Sequence, residues 1–165
     1  MKLVVISGVS GSGKSNALNV LEDLDYYCID NLPVGLLPAF AEQAQASKDS
    51  ISHAAIGIDA RNLPNELPRF SYILEQLRNK GVVVEVMFLD ADNNILLKRF
   101  SETRRKHPLT ENEIPLIEAI KKERELLEPI ASRADLYIET SRTNIYQLRD
   151  LLKERITGST AQNLS

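Results

Sequence analysis

The octapeptide Gly8-Val9-Ser10-Gly11-Ser12-Gly13-Lys14-Ser15 fits G-x-x-x-x-G-K-[ST], the pattern of a loop that cradles phosphate. It follows the apolar run Lys2–Ser7 (KLVVIS) and precedes a stripe of Ala17, Leu18, Leu21 and Leu24. That strand–loop–helix setting is the one such a loop requires. Each residue type has a chemical reason. Glycines let the backbone curl until several N–H groups converge on a β-phosphate, at the positive end of the next helix. Lys14 offers a mobile cation to the β- and γ-phosphates, and the Ser15 hydroxyl can ligate Mg²⁺.

Outward from the loop, four more runs have strand length: Tyr26–Asp30 (YYCID), Ala54–Asp59 (AAIGID), Val82–Asp90 (VVVEVMFLD) and Asp135–Thr140 (DLYIET). They lack the in–out alternation of a half-exposed sheet, as strands covered on both faces do. Helical stripes separate them: Phe70, Ile73, Leu74 and Leu77, then Asn93–Arg105, Pro115–Ala131, and Ile145, Leu148, Leu152 and Ile156. This alternation predicts an α/β fold of the P-loop NTPase type, a kinase-like parallel five-stranded sheet with helices on both faces. Ligands of such sheets bind beyond the carboxyl ends of the strands. Residues 1–156 are expected to form the nucleotide-binding domain, and 157–165 (TGSTAQNLS) have the composition of a linker-like tail.

A chain of 165 residues is one domain's worth. At 43% hydrophobic and 26% charged, it is neither disordered nor collagen-like. The net charge of −3 argues against nucleic-acid binding by bulk electrostatics. A modest basic excess lies between residues 98 and 133. The lone Cys28 and the absence of a signal segment predict a reducing, intracellular setting. No membrane span is expected, since the longest apolar run, Val82–Leu89, is short and contains Glu85.

Three strands end in aspartate, and parallel topology puts Asp30, Asp59 and Asp90 on the rim of the phosphate loop. Asp59 is the first choice to serve Mg²⁺ together with Ser15, because the third strand of such folds neighbours the first. Asp90 is second, and Asp30, farther out, suits a substrate or catalytic role. Each can also serve as a helix cap or Asx-turn. Arg99, Arg104, Arg105 and Lys106 fall where a helix runs into a proline-containing loop (RFSETRRKHPL). They could close over a triphosphate, with Arg104 and Arg105 joining Lys14 and Asp59 as the catalytic set, or simply complement a helix C-terminus. His53 and His107 lack partners at metal spacing, and Cys28 reads as a small apolar strand residue. Lys121, Lys122 and Arg124 alternate with Glu118, Glu123 and Glu125, the pattern of a solvated helix face.

Several segments support a family resemblance: SGVSGSGKSNAL (Ser7–Leu18), LEDLDYYCIDNLP (Leu21–Pro33), IDARN (Ile58–Asn62), FLDAD (Phe88–Asp92), RFSETRRKHPL (Arg99–Leu109) and SRADLYIETS near the end. Together they resemble the RapZ/YvcJ family of bacterial nucleotide-binding proteins, also called RNase adapter proteins, over nearly the whole chain. The resemblance implies a cytoplasmic protein that binds ATP and GTP and hydrolyses them weakly. It makes Gly8–Ser15 the ATP loop and Asp59, Ala60, Arg61 and Asn62 the segment assigned to GTP. Family members continue into a C-terminal domain that in some binds RNA and recruits a ribonuclease to a regulatory small RNA. This chain stops at Ser165, about where that domain is expected to begin. Homo-oligomers are compatible with the resemblance. Three functions remain open: a nucleotide-responsive regulatory domain with weak NTPase activity, which the resemblance favours, a small-molecule kinase, and a non-catalytic nucleotide sensor.

Overall fold

The structure is a computed structural model. It describes residues 1–46, 51–62, 65–103 and 115–164, with the backbone alone at 101–103 and 157–164. Arg104, Arg105, Lys106 and His107 lie outside the described residues. Five strands form one sheet: β1 (Lys2–Gly8), β2 (Tyr27–Ile29), β3 (His53–Ile58), β4 (Val83–Asp90) and β5 (Leu136–Glu139). All pairings are parallel, in the order β2-β3-β1-β4-β5. Among the described residues, six α-helices join them: α1 (Lys14–Asp23), α2 (Leu37–Ala46), α3 (Phe70–Asn79), α4 (Asn93–Thr103), α5 (Leu116–Ala131) and α6 (Ile145–Leu164).

The period of two along β1 divides the core. Leu3 and Val5 join Ile56 and Ile58 on one face, under α2, α3 and α5, whose contributions include Leu37, Phe70, Leu74 and Leu127. Val4 and Ile6 join Ala55, Met87 and Leu89 on the other, under Leu18 and Leu21 of α1 and Leu148 and Leu152 of α6. Glu85, an acidic side chain in the buried run of β4, is paired: Arg155 donates to it at 2.7 Å and Lys2 lies at 3.7 Å.

Two elements differ from the sequence-based expectation. α2 was not expected, because its buried positions Leu37, Ala41 and Ala44 are mostly alanine and make a weak stripe. α6 continues to Leu164, through the stretch with linker composition. Once Leu148, Leu152 and Ile156 are packed, adding further turns to a nucleated helix costs little.

Candidate functional site

The order of strands puts the loop between β1 and α1 at the centre of the carboxyl edge. Gly11 and Gly13 take φ of 85° and 103°, values that a side chain would strain. Gly13 then opens α1 with no side-chain cap, so the first-turn N–H groups face the cleft without a protein acceptor from a cap. The loop borders a cleft of about 1100 Å³, which Lys14 and Ser15 also line.

On one flank of the cleft stand Asp30, Asp59 and Arg61. The Lys14 ammonium donates to Asp30 Oδ1 at 2.6 Å and lies 3.5 Å from Asp59 Oδ2. Asp30 was expected to lie farther out, and its strand is indeed the sheet edge. Its carboxylate nonetheless reaches Lys14 because β3, the intervening strand, carries Gly57 there. A Cβ on Gly57 would stand 2.7 Å from Asp30 Oδ1 and 3.3 Å from Lys14 Nζ.

Asp59 forms an Asx-turn, accepting the Arg61 N–H at 2.8 Å, and also takes the Arg61 guanidinium at 2.7 Å. Burial alone raises its pKa, but the Arg61 hydrogen bonds and the Lys14 and Arg61 charges overturn this and hold the carboxyl below its ordinary range. The next residues of that segment behave differently. Ala60 is buried, and Asn62 is spent on the backbone: it donates to Leu32 O at 2.9 Å and accepts from Val34 N–H at 3.2 Å. Asn62 therefore ties the Asp30–Pro33 turn to the Asp59–Asn62 turn.

On the other flank, Arg99 of α4 donates to Gly11 O at 2.8 Å and Thr140 O at 2.6 Å. Thr140 in turn donates its hydroxyl to Ser12 O at 2.7 Å. Beyond them the cleft is lined by Thr143, Asn144, Ile145 and Tyr146, with Tyr146 73% exposed. Asp90 does not line the cleft. It accepts from Arg124 at 3.1 Å, Tyr137 at 2.8 Å and the Ala91 N–H at 2.7 Å. Burial first, then the Asp90 hydrogen bond and charge, push the Tyr137 hydroxyl up to about 12.

The face of α5 expected to be solvated holds two of these anchors. Glu123 is fully buried, with its carboxylate accepting from Ser10 N–H at 2.8 Å and Ser10 Oγ at 2.6 Å, and Arg124 pairs with Asp90. The solvated-face expectation holds for Glu118, Lys121, Lys122 and Glu125 and fails for Glu123 and Arg124, because charge alternation hides the register: Glu123 falls on the buried stripe of Ala119, Ile120, Leu127 and Ile130. Thr140, Glu123 and Arg124 were thus missed as loop and rim anchors, and only Glu123's stripe position signalled it. Cys28, half-buried in β2, donates weakly to Leu18 O and Tyr26 O, and burial, then the Glu22 charge, push its thiol up to about 11.

A parallel five-stranded sheet carrying this loop at the end of its central strand defines a P-loop fold of the kinase type. The chain belongs to the family of the RapZ-like N-terminal domain, which it matches over residues 1–160. A nucleotide-binding protein of Nitrosococcus oceani is 59% identical over the whole of this chain and 58% of its own length. One of Pseudomonas putida is 55% identical over 94% of the chain and 55% of its own length. The chain thus spans a little over half the length of the curated relatives it matches. Among solved structures, a shikimate kinase from Bacteroides thetaiotaomicron shares the fold with a TM-score of 0.58 at 16% identity, over 94% of this chain and 98% of that one. The YorR protein of Bacillus subtilis, solved with phosphorylated GDP, does so with a TM-score of 0.57 at 15% identity, over 99% and 98%. Among the described residues, no helix is long and apolar enough to cross a membrane.

Proposed function

We propose that this domain binds a nucleoside triphosphate, ATP or GTP, and hydrolyses it slowly as a nucleotide-responsive regulatory module. The observation that carries this reading is the convergence of an uncapped helix start, Lys14 and Asp59 on one cleft of about 1100 Å³. The phosphates lie along residues 8–15, and the base lies toward Ile145 and Tyr146, whose exposed apolar surface suits it. The relatives' description as nucleotide-binding proteins supports the same ligand class.

The oxygens of Ser15 and Asp59 are hard donors of the kind Mg²⁺ takes alongside phosphate and water. Among the described residues no group of three or more His, Cys, Asp or Glu is gathered for a metal, so Ser15 and Asp59 would hold the ion together with phosphate oxygens and water. The ion supplies neutralisation of charge on the transferred phosphoryl group. Water attacks the γ-phosphorus, the bridging bond to the β-phosphate breaks, and nucleoside diphosphate, phosphate and a proton leave. Lys14 neutralises the β- and γ-oxygens, with Arg104 and Arg105 as the further cations of the catalytic set. Of the segment that the resemblance assigns to GTP, Asp59 and Arg61 act at the phosphate end, Ala60 acts only through its backbone, and Asn62 holds the turn.

A second reading, a small-molecule kinase, is favoured by Asp30, whose half-exposed carboxylate in the same cleft could take an acceptor hydroxyl's proton. We place the domain in the cytoplasm, in a longer protein whose remaining part binds RNA and a ribonuclease; homo-oligomers are compatible with this reading. Calorimetry of ATP, GTP, ADP and GDP with and without Mg²⁺, with phosphate release followed in parallel, tests the reading. Triphosphates should bind more tightly than diphosphates, with Mg²⁺-dependent release of phosphate. Binding without release supports the sensor. ATP consumption stimulated by a hydroxylated metabolite supports the kinase. No heat with any nucleotide at millimolar concentration sinks all three.

A further inference from the structure

Glu123 is the one acidic side chain on the buried stripe of α5, between Ile120 and Leu127. Its neighbours Lys121, Lys122 and Glu125 are exposed, while Glu123 has no accessible surface at all. A carboxylate in such a position is costly unless its oxygens are hydrogen-bonded, and an apolar side chain would fill the stripe without that cost. What the carboxylate holds accounts for it. One oxygen takes the Ser10 N–H at 2.8 Å and the other takes the Ser10 hydroxyl at 2.6 Å, across 113 residues of chain. On the adjoining residue, Arg99 of α4 takes the Gly11 carbonyl at 2.8 Å. The phosphate loop is therefore gripped at two consecutive residues by two helices, one grip on donors and the other on an acceptor. Val9, just before them, is fully buried against Ala91, Leu96 and Ile120.

We infer that Glu123 is a positioning residue of the phosphate loop: its bidentate hold on Ser10 sets the curl of residues 10–13 before any ligand arrives. A loop already in its bound shape does not lose conformational freedom on binding, so affinity rises with no added contact to the ligand. The inference rests on the nucleotide reading above and extends it to a residue that need not touch the nucleotide.

The test is calorimetry of ATP with Mg²⁺ on the wild type, Glu123→Ala, Glu123→Gln and Ser10→Ala, with a thermal melt of each. Charge-assisted hydrogen bonds are worth enough that Glu123→Ala should weaken ATP binding by roughly tenfold or more. Glu123→Gln keeps an accepting oxygen and should recover most of that loss. Ser10→Ala should weaken binding a few-fold, and the double variant Ser10→Ala/Glu123→Ala should fall short of the product of the two. A lowered melting temperature with unchanged ATP affinity in Glu123→Ala overturns the inference, and so does Glu123→Gln binding as weakly as Glu123→Ala. Should Glu123→Ala not fold, wild-type affinity in Ser10→Ala overturns it alone. Wild-type binding with unaffected variants removes the role of Glu123 and leaves the nucleotide reading standing. A wild type that binds no triphosphate removes the nucleotide reading itself.

Discussion

Asp59 and Asp90 stand at the ends of the two strands that flank β1, one on either side of the phosphate loop. They are nearly equally buried, at 6% and 9% exposure, so burial does not distinguish them. Their partners do. Asp59 faces the cleft, with Lys14 3.5 Å away and a half-exposed Arg61 as its main partner. Asp90 is enclosed by Arg124, Tyr137 and the Ala91 N–H and takes no part in lining the cleft. Strand order alone cannot assign a metal-serving carboxylate, because both strands touch β1. What separates the two is where their partners hold them: Arg61 engages both oxygens of Asp59 within the cleft, whereas Arg124 and Tyr137 hold Asp90 away from it.

The comparison is broken or sharpened by substitution. The largest effect is expected from Lys14→Ala, which removes the ammonium paired with the Asp59 flank. Triphosphate affinity should fall by roughly 10–100-fold and diphosphate affinity by less, read by calorimetry. Equal losses would mean that Lys14 does not meet the γ-phosphate. Next come the paired variants. Asp59→Asn should cut Mg²⁺-dependent phosphate release about tenfold, with a moderate fall in melting temperature from the lost pairing with Arg61 and Lys14. Asp90→Asn should leave release within about twofold and lower stability by roughly 1–3 kcal/mol, because Arg124 loses its charged partner. Reversal of these two outcomes would exchange the roles of the two carboxylates.

A smaller effect follows from pH. The folded pKa of Asp59 is depressed, so its contribution to stability is present above the unfolded carboxylate value, about 3.9, and is lost as pH falls through the folded value. The difference in melting temperature between wild type and Asp59→Asn should therefore be constant from pH 7 to 5 and change only below about pH 4. A difference that shifts near neutrality would contradict the partners assigned to Asp59. The smallest effect is expected from Asp30→Asn. It removes the closest partner of Lys14, and triphosphate binding should tighten about threefold as the ammonium is released.

The fold was legible because its signals are local. Apolar runs such as Leu3–Ile6 and Val86–Leu89 stand out without any knowledge of their partners, and the glycines and lysine of the loop sit within eight residues. α2 escaped because alanines at 41 and 44 mark a buried face only faintly. The cleft was legible at the loop and at Asp59, which follow strands directly. Its second layer was not: Ser10 meets Glu123 across 113 positions, and Thr140 meets Ser12 across 128. The reach of Asp30 depended on a side chain that is absent, at Gly57 of another strand. Such contacts are fixed by the packing of helices on the sheet, and short-range periodicity carries no trace of them.

The pairing of Lys14 with Asp30, backed by Arg61 on Asp59, gives the loop a self-compensated resting condition of two cations against two anions. A ligand entering there displaces an internal salt partner, so association is an exchange reaction and not a simple capture. Small monovalent or weakly charged anions have little leverage in such an exchange, whereas a chain of phosphates brings enough charge to win it. On the nucleotide reading, selection for polyphosphate over small anions follows from this pairing, ahead of any contact with base or sugar.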